Sequence, residues 1–206
     1  MSYPSVRQSQ TARLPLLDDR CVPTHVALLR GVNVGRANRI AMADLRAVVE
    51  SLGHTDVATY IQSGNAVFTA RPATAGTLAA DLERAIAEQV GITCAVVVLS
   101  AGKLATVIAD NPYAGETNGK FLHVAFGQEA LTAAERAHVE RAVERATAKG
   151  SPDEATVVRG TMYLHTPEGL GRSILAAELN SRKGPDRTTM RNWTTVTKLQ
   201  AMLRTG

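Results

Sequence analysis

The sequence has few cysteines and few aromatic residues, and each scarcity excludes a class of protein. Its 206 residues include two cysteines, Cys21 and Cys94, which lie far apart without a CxxC pair. That spacing predicts neither a disulfide framework nor a zinc site. The five histidines are scattered singly, so neither a metal cluster nor a cofactor is predicted. Aromatic residues make up 4% of the chain and form no RNP-type run, which argues against sequence-specific RNA recognition by base stacking.

Long hydrophobic runs and known nucleophile motifs are missing as well. No apolar run approaches the roughly 18 residues that a membrane-spanning helix requires. Residues 1–22 are polar, contain proline and lack the apolar segment of a signal peptide, which predicts an unordered tail on a cytoplasmic protein without a membrane partner. There is no G-x-S-x-G or H-E-x-x-H motif, and Cys94 lies in an apolar run typical of a buried side chain. No catalytic residue can be named from these patterns.

Positive charge is concentrated near the C-terminus. The net charge is +4, and the segment from Arg172 onward contains seven basic and two acidic residues. That segment is therefore +5, while the preceding part of the chain is −1. Such an excess is compatible with an anionic partner and equally with a solvated basic face.

The hydrophobic periodicity from about residue 24 to residue 100 predicts the order β-α-β-β-α-β. Val26–Leu29 is apolar on both alternating faces, as in a strand covered on both sides. Ser63-Gly64-Asn65 separates two β-rich runs and has the chemistry of a hairpin turn. The predicted elements are a strand at 26–29, a helix at 42–52, strands at 57–62 and 66–69, a helix at 74–90 and a strand at 93–99. This order is that of the ferredoxin-like fold, or α-β plait.

The remaining chain predicts a second, less regular copy of this unit. After a short helix capped by Ser100, the predicted elements are a strand at 121–126, a helix at 132–149 with a capping box, strands at 154–159 and 161–165, and helices at 173–181 and 189–203. On this interpretation the second unit lacks its last strand. We therefore predict an α+β protein of two ferredoxin-like halves, 23–100 and 101–206. The antiparallel sheets carry helices packed on one face, and the halves pack as one compact body.

The loop after the first strand is a candidate ligand site. It contains Arg30, Gly31, Asn33, Gly35 and Arg36 immediately ahead of a helix. Glycines allow close backbone approach, and arginines with a helix N-terminus favour phosphate or carboxylate. The G-x-x-x-G spacing matches neither the dinucleotide fingerprint nor the Walker loop. A turn that needs glycine, with solvated arginines around it, explains the same residues.

Two further segments carry polar residues that could complete such a site. In the hairpin these are Gln62 and Asn65, although the turn alone could require Ser-Gly-Asn. In the C-terminal stretch, helical spacing places Arg191 and Lys198 on one polar face beside Asn192. A phosphate-contacting face and a solvated face are the two interpretations of that pattern.

The segment ALLRGVNVGRANRIAMADLRAVVESLGHTDVATYIQSGNAVF, together with the ending TTMRNWTTVTKL, resembles the signatures of an uncharacterised bacterial family, domain-of-unknown-function family 1697. The resemblance extends over nearly the whole chain from about Thr24 and implies a pair of α-β plait halves. It implies no function.

Three functional hypotheses follow. The first is binding of an anionic ligand, either a phosphate-bearing small molecule or a nucleic acid, at the Arg30–Arg36 loop. The second is an enzyme with a pocket between the halves, and the third is a structural or protein-interaction module. The predicted ligand-binding residues are Arg30, Gly31, Asn33, Gly35, Arg36, Gln62, Asn65, Arg191, Asn192 and Lys198. The loop is a site only if the C-terminal helix completes it.

Overall fold

The computed structural model describes residues 22–35, 38–180 and 188–204. These residues form two four-stranded antiparallel sheets with helices, which confirms the α+β plan of two ferredoxin-like halves. The tail predicted over residues 1–22 lies, apart from Val22, outside the described residues, as does Arg36. None of the helices described is both long and apolar enough to cross a membrane.

The first sheet has the strand order β2-β3-β1-β4. Its elements are β1 (His25–Leu29), α1 (Met42–Ser51), β2 (Thr55–Thr59), β3 (Asn65–Thr69), α2 (Ala75–Val90) and β4 (Val96–Ser100). Helix α2 begins where the Thr74 hydroxyl accepts a hydrogen bond from the Thr77 N–H, and it ends at left-handed Gly91. The central strand β1 is buried on both faces, as its unbroken apolar run predicts.

The second sheet repeats this order as β6-β7-β5-β8. Its elements are β5 (Leu122–Gly127), α4 (Ala133–Ala148), β6 (Glu154–Val158), β7 (Thr161–His165), α5 (Ile174–Asn180) and β8 (Thr188–Asn192). The predicted capping box at the start of α4 is present. The Thr132 hydroxyl accepts from the Glu135 N–H at 3.3 Å, and the Glu135 carboxylate accepts from the Thr132 N–H at 2.7 Å.

Strand β8 corrects the prediction that the second half lacks its last strand. Residues 189–192 were predicted to begin the last helix, but Thr188–Asn192 pair antiparallel with β5, with Arg191 opposite Val124. The final helix α6 (Trp193–Met202) begins only after Asn192, whose side chain accepts from the Thr195 N–H at 2.9 Å. Arg191 and Lys198 therefore do not share a helix face. Pairing with a strand more than 60 residues away overrode the local helical spacing.

Two further helices, α3 (Ala101–Ala109) and α6, follow the last strands of the two sheets and lie between them. Alternate residues of β1 face two different hydrophobic cores, one on each side of the first sheet. Ala27 and Leu29 face α1 and α2, whereas Val26 and Leu28 face the middle core. The middle core joins the halves and includes both sheets and both extra helices: Val26, Leu28, Val67, Val97, Leu99, Leu104, Val107, Leu122, Val124, Phe126, Tyr163, Val196, Leu199 and Leu203. Tyr60 packs against this core and therefore serves inter-half packing.

Helix α5 is held against α4 by an ion-pair cluster. The Glu178 carboxylate accepts from Arg145 Nε at 2.6 Å and from Lys149 Nζ at 2.5 Å. Hydrogen bonds from these two cations lower the pKa of Glu178 to about 2. These ion pairs hold the C-terminal end of α5 in place against α4.

Candidate functional site

The loop after β1 is shaped by Asn33 rather than by its glycines alone. The Asn33 backbone is left-handed, with φ 57°, a conformation that asparagine tolerates better than most residues. Its side-chain amide donates to the carbonyls of Ile40 and Gln62, each at 2.9 Å, and its Oδ1 accepts from the Ile40 N–H at 3.0 Å. Asn33 thus closes the loop and ties it to the β2–β3 hairpin.

The hairpin approaches the loop so closely that Gly64 has no room for a side chain. A Cβ at Gly64 would lie 2.5 Å from Cγ2 of Val32 and 2.8 Å from Cβ of Leu29, and the residue has φ +67°. The adjacent Asn65 is fully buried, and its Nδ2 donates to the Tyr60 carbonyl at 3.1 Å. The Ser-Gly-Asn sequence therefore both makes the turn and presents acceptors toward the second half.

Arg191, which belongs to the second half, donates hydrogen bonds to those acceptors. It projects from β8 and is 9% exposed. All five N–H groups of a guanidinium can be satisfied by the acceptors that surround it. The acceptors are Asn65 Oδ1 (2.6 Å from Nε), Thr189 Oγ1 (2.7 Å from Nη1), Met190 O (2.9 Å from Nη1), Leu29 O (2.7 Å from Nη2), Ser63 O (3.1 Å from Nη2) and Gly64 O (3.4 Å from Nη2).

These partners of Arg191 are all electrically neutral. No carboxylate of the described residues forms an ion pair with it. Burial lowers the pKa of Arg191 to about 10, so the side chain stays protonated at neutral pH. The seam between the halves therefore holds a desolvated positive charge that hydrogen bonds stabilise but no described acid neutralises.

A cleft of about 880 Å³ opens beside this charge, between the β1 loop and β8. The lining combines the loop, the hairpin, all of β8 and the end of α5: Leu29, Arg30, Gly31, Val32, Asn33, Val34, Ile61, Gln62, Ser63, His123, Met162, Leu179, Asn180, Thr188, Thr189, Met190, Arg191, Asn192 and Thr195. Arg30 and Arg191 are the charged members, and no described acidic residue lines the cleft. No group of three or more metal-ligating side chains occurs in the described part of the chain.

The cleft brings together six of the predicted site residues: Arg30, Gly31, Asn33, Gln62, Arg191 and Asn192. Three others are not in its lining. Gly35 lies further along the loop, Asn65 is buried behind the wall as a partner of Arg191, and Lys198 is exposed on α6. Arg36 lies outside the described residues. The predicted partner of the loop was the C-terminal helix, but the residues that face the loop are those of strand β8, with Thr195 alone coming from α6 among the described lining residues.

His123 lines the cleft and was not predicted as a site residue. It is the second residue of β5, is 7% exposed, and its Nδ1 has no hydrogen-bond partner among the described residues. Burial lowers its pKa below the ordinary value, so the ring is neutral at neutral pH. The signal in the sequence was a single polar residue inside the apolar strand Phe121–Phe126.

Two exposed aliphatic side chains stand in the cleft lining. Val34 is 73% exposed and Ile61 is 49% exposed. Ile61 also has φ 47°, in the left-handed region that a β-branched residue rarely adopts. A strained and exposed aliphatic residue beside a cleft is a feature that ligand contact would explain.

Fold and site together define a protein built from two α-β plaits, with a cleft at their seam whose described charged residues, Arg30 and Arg191, are both basic. The chain belongs to the family described as "Protein of unknown function (DUF1697)", whose profile matches residues 22–163. It is also similar to the solved structure of the conserved bacterial protein SP0830 from Streptococcus pneumoniae, with 24% identity and a TM-score of 0.65. That match covers 88% of this chain and 99% of the other, and at this identity it shows the fold alone. No curated protein matches the sequence.

Proposed function

We propose that the protein binds a small anionic ligand, bearing phosphate or carboxylate, in the cleft between the β1 loop and β8. The observation that carries the proposal is the charge of the lining, which includes Arg30 and Arg191 but no acidic residue among those described. Residues from both halves of the chain contribute to this lining, so the folded molecule assembles the site.

The buried charge of Arg191 supports an anion in particular. A unit negative charge about 6 Å from a cation gains roughly 3 kcal/mol at an effective dielectric constant of about 20. The hydrogen bonds of Arg191 are already directed at the loop and hairpin, so its contribution is long-range attraction. Direct contact falls to the other cleft groups, including Arg30 and Gln62.

The shape of the cleft favours a small molecule over a nucleic acid. Its volume of about 880 Å³ lies within the roughly 300–1,000 Å³ typical of small-molecule sites. No Phe, Tyr or Trp is found in the described lining, so the stacking platforms that single-stranded nucleic acids use are missing there.

The two other hypotheses account for less of the site. A docking role describes Arg191 and Asn65 well, because their hydrogen bond at 2.6 Å joins the halves. Docking alone does not explain an adjoining charged cleft. An enzyme would need an activated reactive group, and the Nδ1 of His123, the histidine of the described lining, has no hydroxyl partner to activate.

A thermal-shift panel of inorganic phosphate, sugar phosphates, nucleotides and carboxylates tests the proposal. A ligand at 100 times its Kd adds about 2.7 kcal/mol, which corresponds to a rise in Tm of roughly 5–10 °C for a chain of this size. We expect Arg30→Gln to weaken binding of the best compound at least tenfold. The matched control is Arg84→Gln, which removes an equal charge from an exposed pair with Asp81 on α2.

Two results would contradict the proposal. One is a panel in which no anion raises the Tm of the wild-type protein. The other is equal affinity for wild type and Arg30→Gln, with Arg84→Gln also unchanged. Strong, salt-dependent binding of single-stranded oligonucleotides, without a response to small anions, would replace the ligand class by nucleic acid.

A further inference from the structure

Two histidines occupy equivalent positions in the two sheets. His25 pairs with Ser100, the N-cap of α3, and His123 pairs with Asn192, the N-cap of α6. Each lies on a central strand, and burial lowers the pKa of both. The pair therefore offers an internal comparison of one position in two surroundings.

Only one of these histidines meets the cleft. His25 forms a hydrogen bond through Nδ1 with the Thr24 hydroxyl at 2.8 Å and stacks on Phe68 with ring centroids 6.0 Å apart. His123 lines the cleft beside Asn192, and its buried Nδ1 has no partner among the described residues. A native protein seldom retains such a nitrogen without a role, because an unmade hydrogen bond in the interior costs free energy.

We infer that His123 donates or accepts a hydrogen bond with a hydroxyl group of the ligand, after the imidazole turns about its Cβ–Cγ bond. This inference rests on the proposed function and specifies the class of ligand as an anion that also carries hydroxyl groups, such as a sugar phosphate. A neutral imidazole nitrogen is a donor or an acceptor according to its tautomer, and a hydroxyl is able to match either state. Terminal ring torsions of histidine are broad, so the reorientation needs no change of backbone.

The test compares His123→Leu with the matched variant His25→Leu, using ribose 5-phosphate and inorganic phosphate as probes in calorimetry. We expect His123→Leu to bind ribose 5-phosphate at least tenfold more weakly than wild type, with affinity for inorganic phosphate within twofold. We expect His25→Leu to bind both probes as wild type does. The Tm of unliganded His123→Leu should not fall, because leucine removes an unpaired polar atom from a buried position. A structural histidine would give the opposite result, a lower Tm with unchanged selectivity.

Wild-type affinity for ribose 5-phosphate that persists in His123→Leu overturns the inference while leaving the proposed function intact. If wild-type protein binds neither probe, nor any other anion of the panel, the proposed function itself fails. Should His123→Leu not fold, wild-type protein labelled with ¹⁵N-histidine decides the matter. Ribose 5-phosphate should shift the ring nitrogens of His123 and leave those of His25 in place. An unmoved His123 signal at saturation overturns the inference.

Discussion

The two sheets share one strand order, but different groups lie against their edge strands β4 and β8. At the edge strand β4, the Gln128 side chain accepts from the Val98 N–H at 3.1 Å and donates to the Val98 carbonyl at 3.3 Å. Gln128 follows His123 by five residues, as Arg30 follows His25, and Arg30 lines the cleft beside the other edge strand, β8. The edge strand β4 is covered by an amide of the other half, whereas the edge strand β8 borders a cleft whose described charged residues are two arginines.

The same contrast continues along the strands themselves. In the register set by the two N-caps, Leu99 of β4 corresponds to Arg191 of β8, and Val97 corresponds to Thr189. The side chains of Val97 and Leu99 belong to the middle core. By contrast, Arg191 and Thr189 donate to the Leu29 carbonyl at 2.7 and 3.4 Å. The last strand of the repeated fold is thus apolar at these positions in the first half and polar in the second half. The departure from symmetry marks the candidate site.

The largest loss of stability is expected from Arg191→Leu, which introduces the residue found at the equivalent position of β4, Leu99. Leucine would leave Asn65 Oδ1 and the Ser63 carbonyl without the guanidinium, and it would leave the Leu29 carbonyl with only the Thr189 hydroxyl at 3.4 Å. Unsatisfied buried acceptors cost about 1–3 kcal/mol each, so we expect a loss of roughly 3–5 kcal/mol, measured by urea unfolding. Arg191→Lys, which retains the charge but lacks the planar fork, should lie between leucine and wild type. Wild-type stability in Arg191→Leu would show that these bonds do not hold the halves together.

An intermediate effect is expected from alanine at two equivalent turn glycines, Gly64 and Gly160. Both have positive φ, and an added Cβ would lie 2.5 Å from Val32 Cγ2 in one case and 2.5 Å from Ala130 Cβ in the other. Each Gly→Ala change should lower the free energy of unfolding by about 2–4 kcal/mol through overpacking and left-handed strain. Only Gly64→Ala should also weaken anion binding, since only that turn borders the cleft.

Chemical unfolding and titration of the best anion would check both glycine variants. Gly102→Ala is the control, since that helical glycine has open space and should gain roughly 0.5–1 kcal/mol with alanine. Equal loss of binding in Gly64→Ala and Gly160→Ala would mean that the cleft does not distinguish the halves.

The smallest effect concerns strain at the cleft. Ile61→Asn should raise stability by about 0.5–1 kcal/mol, or roughly 1–4 °C in Tm, because asparagine tolerates the left-handed backbone better than isoleucine. Arg159→Asn, at φ 48° in the second half, should gain less, because it also removes an ion pair with Asp110 at 3.5 Å. If Ile61 contacts the ligand, only Ile61→Asn should reduce affinity. A drop in Tm for Ile61→Asn would show that its side chain is needed for packing rather than kept at a cost.

The sequence predicted most of the fold because most of its elements are locally encoded. Thr132 and Glu135 encode their capping box within four residues, and β1 is an unbroken apolar run. The exception was β8, where Met190, Trp193 and Val196 have helical spacing. Its strand pairing with β5 depends on residues that lie far away in the chain, and local periodicity cannot predict such a pairing.

The local sequence encodes the helices and strands other than β8, the repeat, and the two polar segments that line the candidate site. What those segments do depends on the folded structure. It buried Arg191 among six neutral acceptors drawn mainly from the other half, placed Asn65 behind the wall, and brought His123 to the cleft. The physical reason is that burial and hydrogen-bond partnership are properties of three-dimensional neighbours. Residues separated by more than a hundred positions became those neighbours only when the sheets packed.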